Sequence, residues 1–176
     1  METIPTFFPV FGFVVLPRNL RYIESREQRS RDEIRRLLDV LKSKMKTTKV
    51  AVAVLERNGT VLACQRKKGA RYELKWEFPG GKVEAGESFE QCIHRELHEE
   101  LSIELGAIHK TEKEISHYSD GGTYEVAFCY VREFSGDLRN NVCEQFRWVT
   151  PDELRSMDIL EGNRGFVSRL TLDATS

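Results

Sequence analysis

The chain has 176 residues, 40% hydrophobic and 31% charged, with a formal net charge of −1; that is enough for one domain with a core, and short for two of ordinary size. The near-neutral total lacks the broad basic field of a general nucleic-acid or membrane-surface binder, and no apolar run approaches the roughly 20 residues of a membrane helix. Cys64, Cys92, Cys129 and Cys143 are scattered without a C-x-x-C pair, so they read as small apolar residues of a reducing compartment, with a cytoplasmic location as the expectation.

Residues 1–46 form an N-terminal extension in this reading. FFPVFGFVVLP (7–17) is apolar but interrupted by proline and preceded by an acidic residue, a poor signal peptide. Between Arg18 and Lys49 stand 11 Lys/Arg against 5 Asp/Glu, which reads as a solvated basic helix face before it reads as a nucleic-acid contact. Ser30 and Glu33 have the spacing of a capping box for a helix carrying Ile34, Leu37, Leu38, Leu41 and Met45 on one face.

Residues 47–176 form the main domain. KVAVAVLE (49–56), an ERNGT turn and VLACQRK (61–67) read as a hairpin. A loop ending in WEFPGG leads to a helix over about 88–101, with Ser88 and Gln91 as its capping box. IHKTEKEISHYS, a DGGT turn and YEVAFCYVREF read as a long hairpin, and EQFRWVT as one more strand. Thr150-Pro151 opens a further helix, and a last one is expected over 163–172. The sum is an α/β or α+β domain, a mixed sheet flanked by helices.

RELHEE (95–100) is the anomalous stretch. On a wheel of about 100° per residue, Phe89, Ile93, Leu97 and Leu101 cover an arc of roughly 0° to 120°. Glu99 falls near ~280°, Glu96 near ~340° and Glu100 near ~20°, so two of the three carboxylates border or enter the apolar face. Like charges at this spacing repel, and half-burying them unpaired costs several kcal/mol more. A hard divalent cation such as Mg²⁺, sharing its coordination with substrate phosphates, removes that conflict. GGKVEAGES feeds directly into the helix, and its glycines allow backbone to approach a metal or phosphate.

The segment 81–103 resembles the Nudix motif, G-x5-E-x7-R-E-U-x-E-E-x-G-U with U a bulky aliphatic. Gly81, Glu87, Arg95, Glu96, Leu97, Glu99, Glu100 and Ile103 match, and Ser102 stands in place of the motif's glycine. The resemblance implies an α/β/α sandwich and Mg²⁺- or Mn²⁺-dependent hydrolysis of a phosphoanhydride. It implies Glu96, Glu99 and Glu100 as metal carboxylates, the Gly81 carbonyl as a further ligand and Glu87 as a supporting one, with Arg95 orienting a carboxylate. Met45 falls where members of the family begin.

Residues 45–172 resemble the MutT branch, whose members convert nucleoside triphosphates to monophosphate and pyrophosphate and include 8-oxo-dGTP diphosphatases. That implies a nucleoside triphosphate substrate, no stable nucleic-acid partner and no membrane. By ungapped counting, Arg66 falls at a base-contacting arginine, Phe78 at an aromatic of the base pocket and Asn163 at the asparagine that reads a purine edge. Arg66 equally suits a surface position, Phe78 a core position and Asn163 a helix N-cap. A further metal glutamate of the branch corresponds to Val142 here; Glu144, two residues on, is the candidate if the strand face is kept. His94 and His98 read as solvated, and Tyr72 and Trp76 as candidates for the substrate mouth. The resemblance admits pyrimidine nucleotides, ADP-ribose, or a non-catalytic nucleotide-binding role as alternatives. Nothing in the sequence separates a monomer from a homodimer.

Overall fold

VAVAVL at 50–55 alternates in side-chain size and not in polarity, the pattern of a strand buried on both faces. In the computed structural model, which describes residues 28–38 (a helix, α1) and 47–172, this run lies in β1 (Thr47–Arg57). Ala51, Ala53 and Leu55 enter one hydrophobic core, while Val52 and Val54 enter another on the opposite face. β2 (Thr60–Gln65) follows through Asn58 and Gly59, both at positive φ as a two-residue hairpin turn demands. Leu62 and Cys64 join the first core, Val61 and Ala63 the second.

β3 (Trp76–Glu77) pairs with β2, and β4 (Gly80–Lys82) runs antiparallel to β1. α2 (Phe89–Leu101) then crosses one face of the sheet, contributing Cys92, Ile93, Leu97 and Leu101 to the first core. β5 (Glu104–Leu105) pairs with β8 (Phe134–Ser135), and β6 (Ile108–His117) forms the long hairpin with β7 (Thr123–Val131). β7 lies parallel to β1 from Thr47↔Thr123 to Leu55↔Val131, and β9 (Gln145–Val149) pairs with β2. The sheet order β3-β2-β1-β7-β6, with β4 on β1 and β9 on β2, is therefore mixed. α3 (Pro151–Ser156) and α4 (Glu161–Arg169) cover the other face, supplying Leu154, Phe166 and Val167 to the second core. Two cores separated by one sheet are the expected α/β/α sandwich.

Several boundaries differ from the sequence reading. α4 begins at Glu161, not Asn163, because the preceding segment is anchored on β3. Trp76 N–H donates to the Asp158 carbonyl and its own carbonyl accepts from Leu160 N–H, at 2.9 and 2.8 Å. Leu160 is the N-cap and has no side-chain cap bond, so Asn163 is not a cap. The helix of residues 28–38 already includes Ser30, which cannot then be its N-cap; Leu41 and Met45 lie outside the described residues. That helix and the sheet domain are separate units.

Ser102 takes over the role of the motif glycine. It closes α2 in the left-handed conformation (φ 58°, ψ 34°), a geometry that costs a non-glycine residue roughly 1–2 kcal/mol. Asn141 supports the turn, donating from Nδ2 to Ser102 Oγ and to the Glu99 carbonyl, each at 2.9 Å. Its backbone N–H meets the Glu100 carbonyl at 3.0 Å and Arg139 N–H meets that of Leu101 at 2.9 Å. The last carbonyls of the helix are satisfied by the segment before β9, which compensates the serine.

Candidate active site

α2 starts where expected. Ser88 Oγ accepts from Gln91 N–H at 3.1 Å, and Gln91 Oε1 accepts from Ser88 N–H at 2.9 Å. This cap sets the phase in which α2 presents its carboxylates to β4. The Glu96 side chain is only 15% exposed and Glu99 is 59% exposed, the division the wheel predicts. Glu96 rests directly on Gly81, and a Cβ built there would collide with its carboxylate. Glu100 Oε2 accepts from Gly80 N–H at 3.0 Å. Two adjacent glycines of β4 thus seat two carboxylates of α2.

Arg95 organises the approach. Its Nε and Nη2 clamp both oxygens of Glu87 at 2.9 Å, and Nη1 donates to Glu96 Oε1 at 2.9 Å. The bidentate pair holds the Glu87 carboxyl down to about 2, with the Glu84 N–H assisting. In this arrangement Glu87 holds Arg95, and Arg95 aims Glu96. Glu99 reaches Arg95 at 3.6 Å from the solvent side. The Gly81 carbonyl receives the Cys92 thiol at 3.7 Å.

Burial pushes the Glu100 carboxyl up to about 8, against the opposing Gly80 N–H and with the nearby charges of Glu96 and Glu77 adding to the rise. A carboxylate so strained in its charged form gains from a cation. Among the described residues no three Asp, Glu, His or Cys side chains already converge on one point. Glu96 turns to Arg95, Glu100 to Gly80, and Glu99 outward. Two seated carboxylates with a glycine floor suit an ion that completes its shell with water and phosphate oxygens.

A cleft of about 320 Å³ opens on the α4 side of the sheet, running from Gly80 and Gly81 to Asn163. Asn163 is 4% exposed, and its Nδ2 has no hydrogen-bond partner. Arg66 lines the cleft too, but its guanidinium is engaged: Nη1 meets both oxygens of Glu77 at 2.8 and 2.9 Å, and Nε donates to the Arg71 carbonyl at 2.8 Å. Burial raises the Glu77 carboxyl, and Arg66 opposes the rise. Glu77 escaped the sequence reading, although it lies inside the EFPGGK segment that carried the resemblance.

Phe78 borders a separate depression, with Arg66, Gly80 and Glu100. It is 2% exposed and meets Phe166 and Phe128 edge to face, with centroids at 5.6 and 6.1 Å. It belongs to the core behind the cleft, and the cleft's rings are Tyr72, Tyr118 and Tyr124. Of these three, the sequence points only to Tyr72. Glu144 also departs from expectation. β9 begins at Gln145, so residues 142 and 144 precede the strand and its face-keeping alternation does not apply. The Glu144 carboxylate accepts from Lys68 N–H at 3.4 Å, and Val142 instead lines the depression beside Glu100. His98 pairs with Glu104 at 2.6 Å on the exposed side of α2.

Comparison with known proteins agrees with this geometry. Residues 45–170 match the family model described as NUDIX domain. The chain is 35% identical over 112 residues to a CTP pyrophosphohydrolase of Escherichia coli, covering 62% of this chain and 80% of that protein. It is 31% identical over 121 residues to a putative 8-oxo-dGTP diphosphatase 2 of Mycobacterium tuberculosis, covering 69% and 86%. The crystal structure of a MutT NUDIX hydrolase from Burkholderia pseudomallei superposes with a TM-score of 0.61 at 26% identity, over 72% of this chain and 99% of that one. With two glutamates of a nearly complete motif seated on a glycine strand, the chain belongs to the Nudix family, as a MutT-like pyrophosphohydrolase.

Proposed function

We propose that the domain of residues 47–176 hydrolyses nucleoside triphosphates to monophosphate and pyrophosphate with Mg²⁺, and that oxidised purine (d)NTPs such as 8-oxo-dGTP are its substrates. The observation that carries this reading is the buried Asn163, whose Nδ2 has no hydrogen-bond partner, in the wall of a cleft that Gly80 and Gly81 also line. A buried donor left without a partner costs about 1–3 kcal/mol, so a ligand that satisfies it gains that much in discrimination. Oxidised guanine presents a carbonyl acceptor beside an N–H donor, and an amide offers the complementary pair.

The residues divide the work. Asn163 holds the base edge, and the cleft lays the phosphate chain along Gly80 and Gly81. Glu96, aimed by Arg95, and Glu100, seated on Gly80 N–H, would hold the cation, and Glu96 would also orient or deprotonate the attacking water. Glu99, 59% exposed at the outer rim, would be a further carboxylate for that cation. A bound Mg²⁺ or Mn²⁺ supplies charge neutralisation at the phosphates and a more acidic water.

A second reading is favoured by the 35% identity to a CTP pyrophosphohydrolase. A cytosine edge also pairs a donor with an acceptor, and one amide serves either base. A panel of 8-oxo-dGTP, dGTP, CTP, dCTP and ADP-ribose with Mg²⁺, scored for monophosphate and pyrophosphate, decides between them. Release from 8-oxo-dGTP at the highest kcat/KM supports the purine reading, and preference for CTP or dCTP replaces it with the pyrimidine one. Preference for ADP-ribose sinks both.

A further inference from the structure

Three tyrosines from three separate stretches of chain meet at the cleft, and neither the motif nor the fold requires them. Tyr72 lies on the loop between β2 and β3, Tyr118 just past the end of β6, and Tyr124 near the start of β7. Their rings follow one another, Tyr72 to Tyr118 at 5.3 Å and Tyr118 to Tyr124 at 4.7 Å between centroids. All three are half-buried and line the same cleft as Asn163. Tyr118 packs so closely on Gly162 that a Cβ there would collide with its ring and hydroxyl, which sets the ring one residue from the unpartnered amide.

The Tyr72 end is held by Asp120. That carboxylate accepts from both the Tyr72 hydroxyl and the Arg71 guanidinium, and the guanidinium carbon lies 4.9 Å from the Tyr72 ring centroid. Tyr72 adopts φ 58° to reach this position, a left-handed geometry that persists in a non-glycine residue only where its surroundings dictate it. The loop is therefore fixed to the β6–β7 turn beside the cleft by contacts with no evident role in the cores.

From this juxtaposition we infer that Tyr118 and Tyr124, continued by Tyr72, are the surface on which the substrate's nucleobase stacks while Asn163 reads its edge, with Asp120 as the positioning residue for Tyr72. The inference rests on the nucleoside triphosphate reading above and assigns it a second specificity element. Stacking on an aromatic face is tolerant of base identity, whereas an amide is selective. The tyrosines therefore distinguish nucleotides from other polyphosphates, and Asn163 distinguishes among nucleotides.

The test compares 8-oxo-dGTP, dCTP and an abasic deoxyribose triphosphate on the full chain with Mg²⁺. Tyr118→Leu, which keeps bulk and removes the ring, is expected to raise KM for both nucleotides at least about tenfold. Its kcat changes little, its KM for the abasic triphosphate is unchanged, and Tyr118→Phe, which keeps the ring, raises the nucleotide KM several-fold less than Tyr118→Leu. Unchanged nucleotide KM, or an equal rise for the abasic compound, overturns the inference. Because Tyr118 packs on α4, Tyr72→Leu on the exposed loop is the second variant, with a smaller rise in KM of the same selectivity. In wild-type protein with ring-labelled tyrosine, 8-oxo-dGMP and dCMP added without metal are expected to move the Tyr118 and Tyr124 ring resonances upfield. Saturating binding without such shifts overturns the stacking surface. Ring shifts in a protein that hydrolyses none of the triphosphates support the surface and refute the hydrolytic reading instead.

Discussion

The two ends of the candidate site, the carboxylate helix on its glycine strand and the cleft that Gly80 and Gly81 border, are built in opposite ways. The carboxylate end comes from one contiguous stretch, β4 through α2, where Gly80, Gly81, Glu87, Arg95, Glu96 and Glu100 contact one another within 21 residues of chain. The far end draws Tyr72, Tyr118, Tyr124 and Asn163 from four elements or loops that meet only because β7 lies beside β1 and α4 is anchored on β3. A chemistry that needs fixed spacing between charges is encoded locally. Recognition of a planar base can be assembled from whatever the fold brings near. The first end is therefore tied to its motif, and the second is free to vary with substrate.

Substitutions at the two ends should separate kcat from KM, and the largest effects belong to the carboxylates. Glu100→Gln and Glu96→Gln are each expected to lower kcat by on the order of a thousandfold with the fold intact. Wild-type-like turnover in both, at unchanged circular dichroism, would remove them from the metal site. Asn163→Ala should follow, lowering the kcat/KM ratio between preferred and rejected bases by about 10- to 100-fold while leaving the slower substrate's turnover nearly unchanged. An unaltered ratio across the nucleotide panel places base reading elsewhere.

Gly81→Ala gives a smaller loss. Its new methyl meets the end of a flexible Glu96 side chain and not backbone, so thermal stability should hold within a few degrees while kcat falls about 10- to 100-fold. A large drop in Tm with unaltered kcat would refute this account of the glycine.

The smallest effect is at Asp120. Its carboxyl is held down to about 2 by the Tyr72 hydroxyl and then by Arg71. A group depressed in the folded state contributes stability above its unfolded value of about 3.9 and loses it as pH falls through about 2. Denaturant unfolding of wild type and Asp120→Asn should differ by a constant small amount from pH 5 to pH 8 (roughly the span of maximal stability), the difference shrinking only in strong acid. A difference that vanishes already near neutral pH refutes the assignment of this carboxylate.

The comparison also explains what could be read in advance. Glu96, Glu99 and Glu100 announced themselves because helical phase is set by backbone geometry alone, and the wheel sorted buried from exposed carboxylates before any contact was known. Phe78 was ambiguous, since an aromatic beside Pro79 and Gly80 suits a pocket wall or a core equally, and the choice fell to Phe128 and Phe166 from distant strand and helix. For Glu144 the sequence expectation rests on strand alternation, whereas residues 142 and 144 precede β9. Asp120 and Tyr118 gave no periodic signal, lying in and beside a turn whose sequence advertises only its glycines.

The sequence by itself determined the long strands, the capped carboxylate helix and its conflict of charge, because these follow from periodicity and short-range spacing, whereas β3 and β4 fall in a segment that reads as a loop. Only the tertiary structure decided that Glu87 grips Arg95, that Asn141 sustains a left-handed Ser102, and that Asn163, with an unpartnered buried Nδ2, lines the same cleft as three tyrosines. Contacts across 39 or 76 positions of chain, such as Asn141 to Ser102 or Lys68 to Glu144, depend on how strands order themselves in the sheet. That order is settled by the burial of two cores at once, which no local pattern contains.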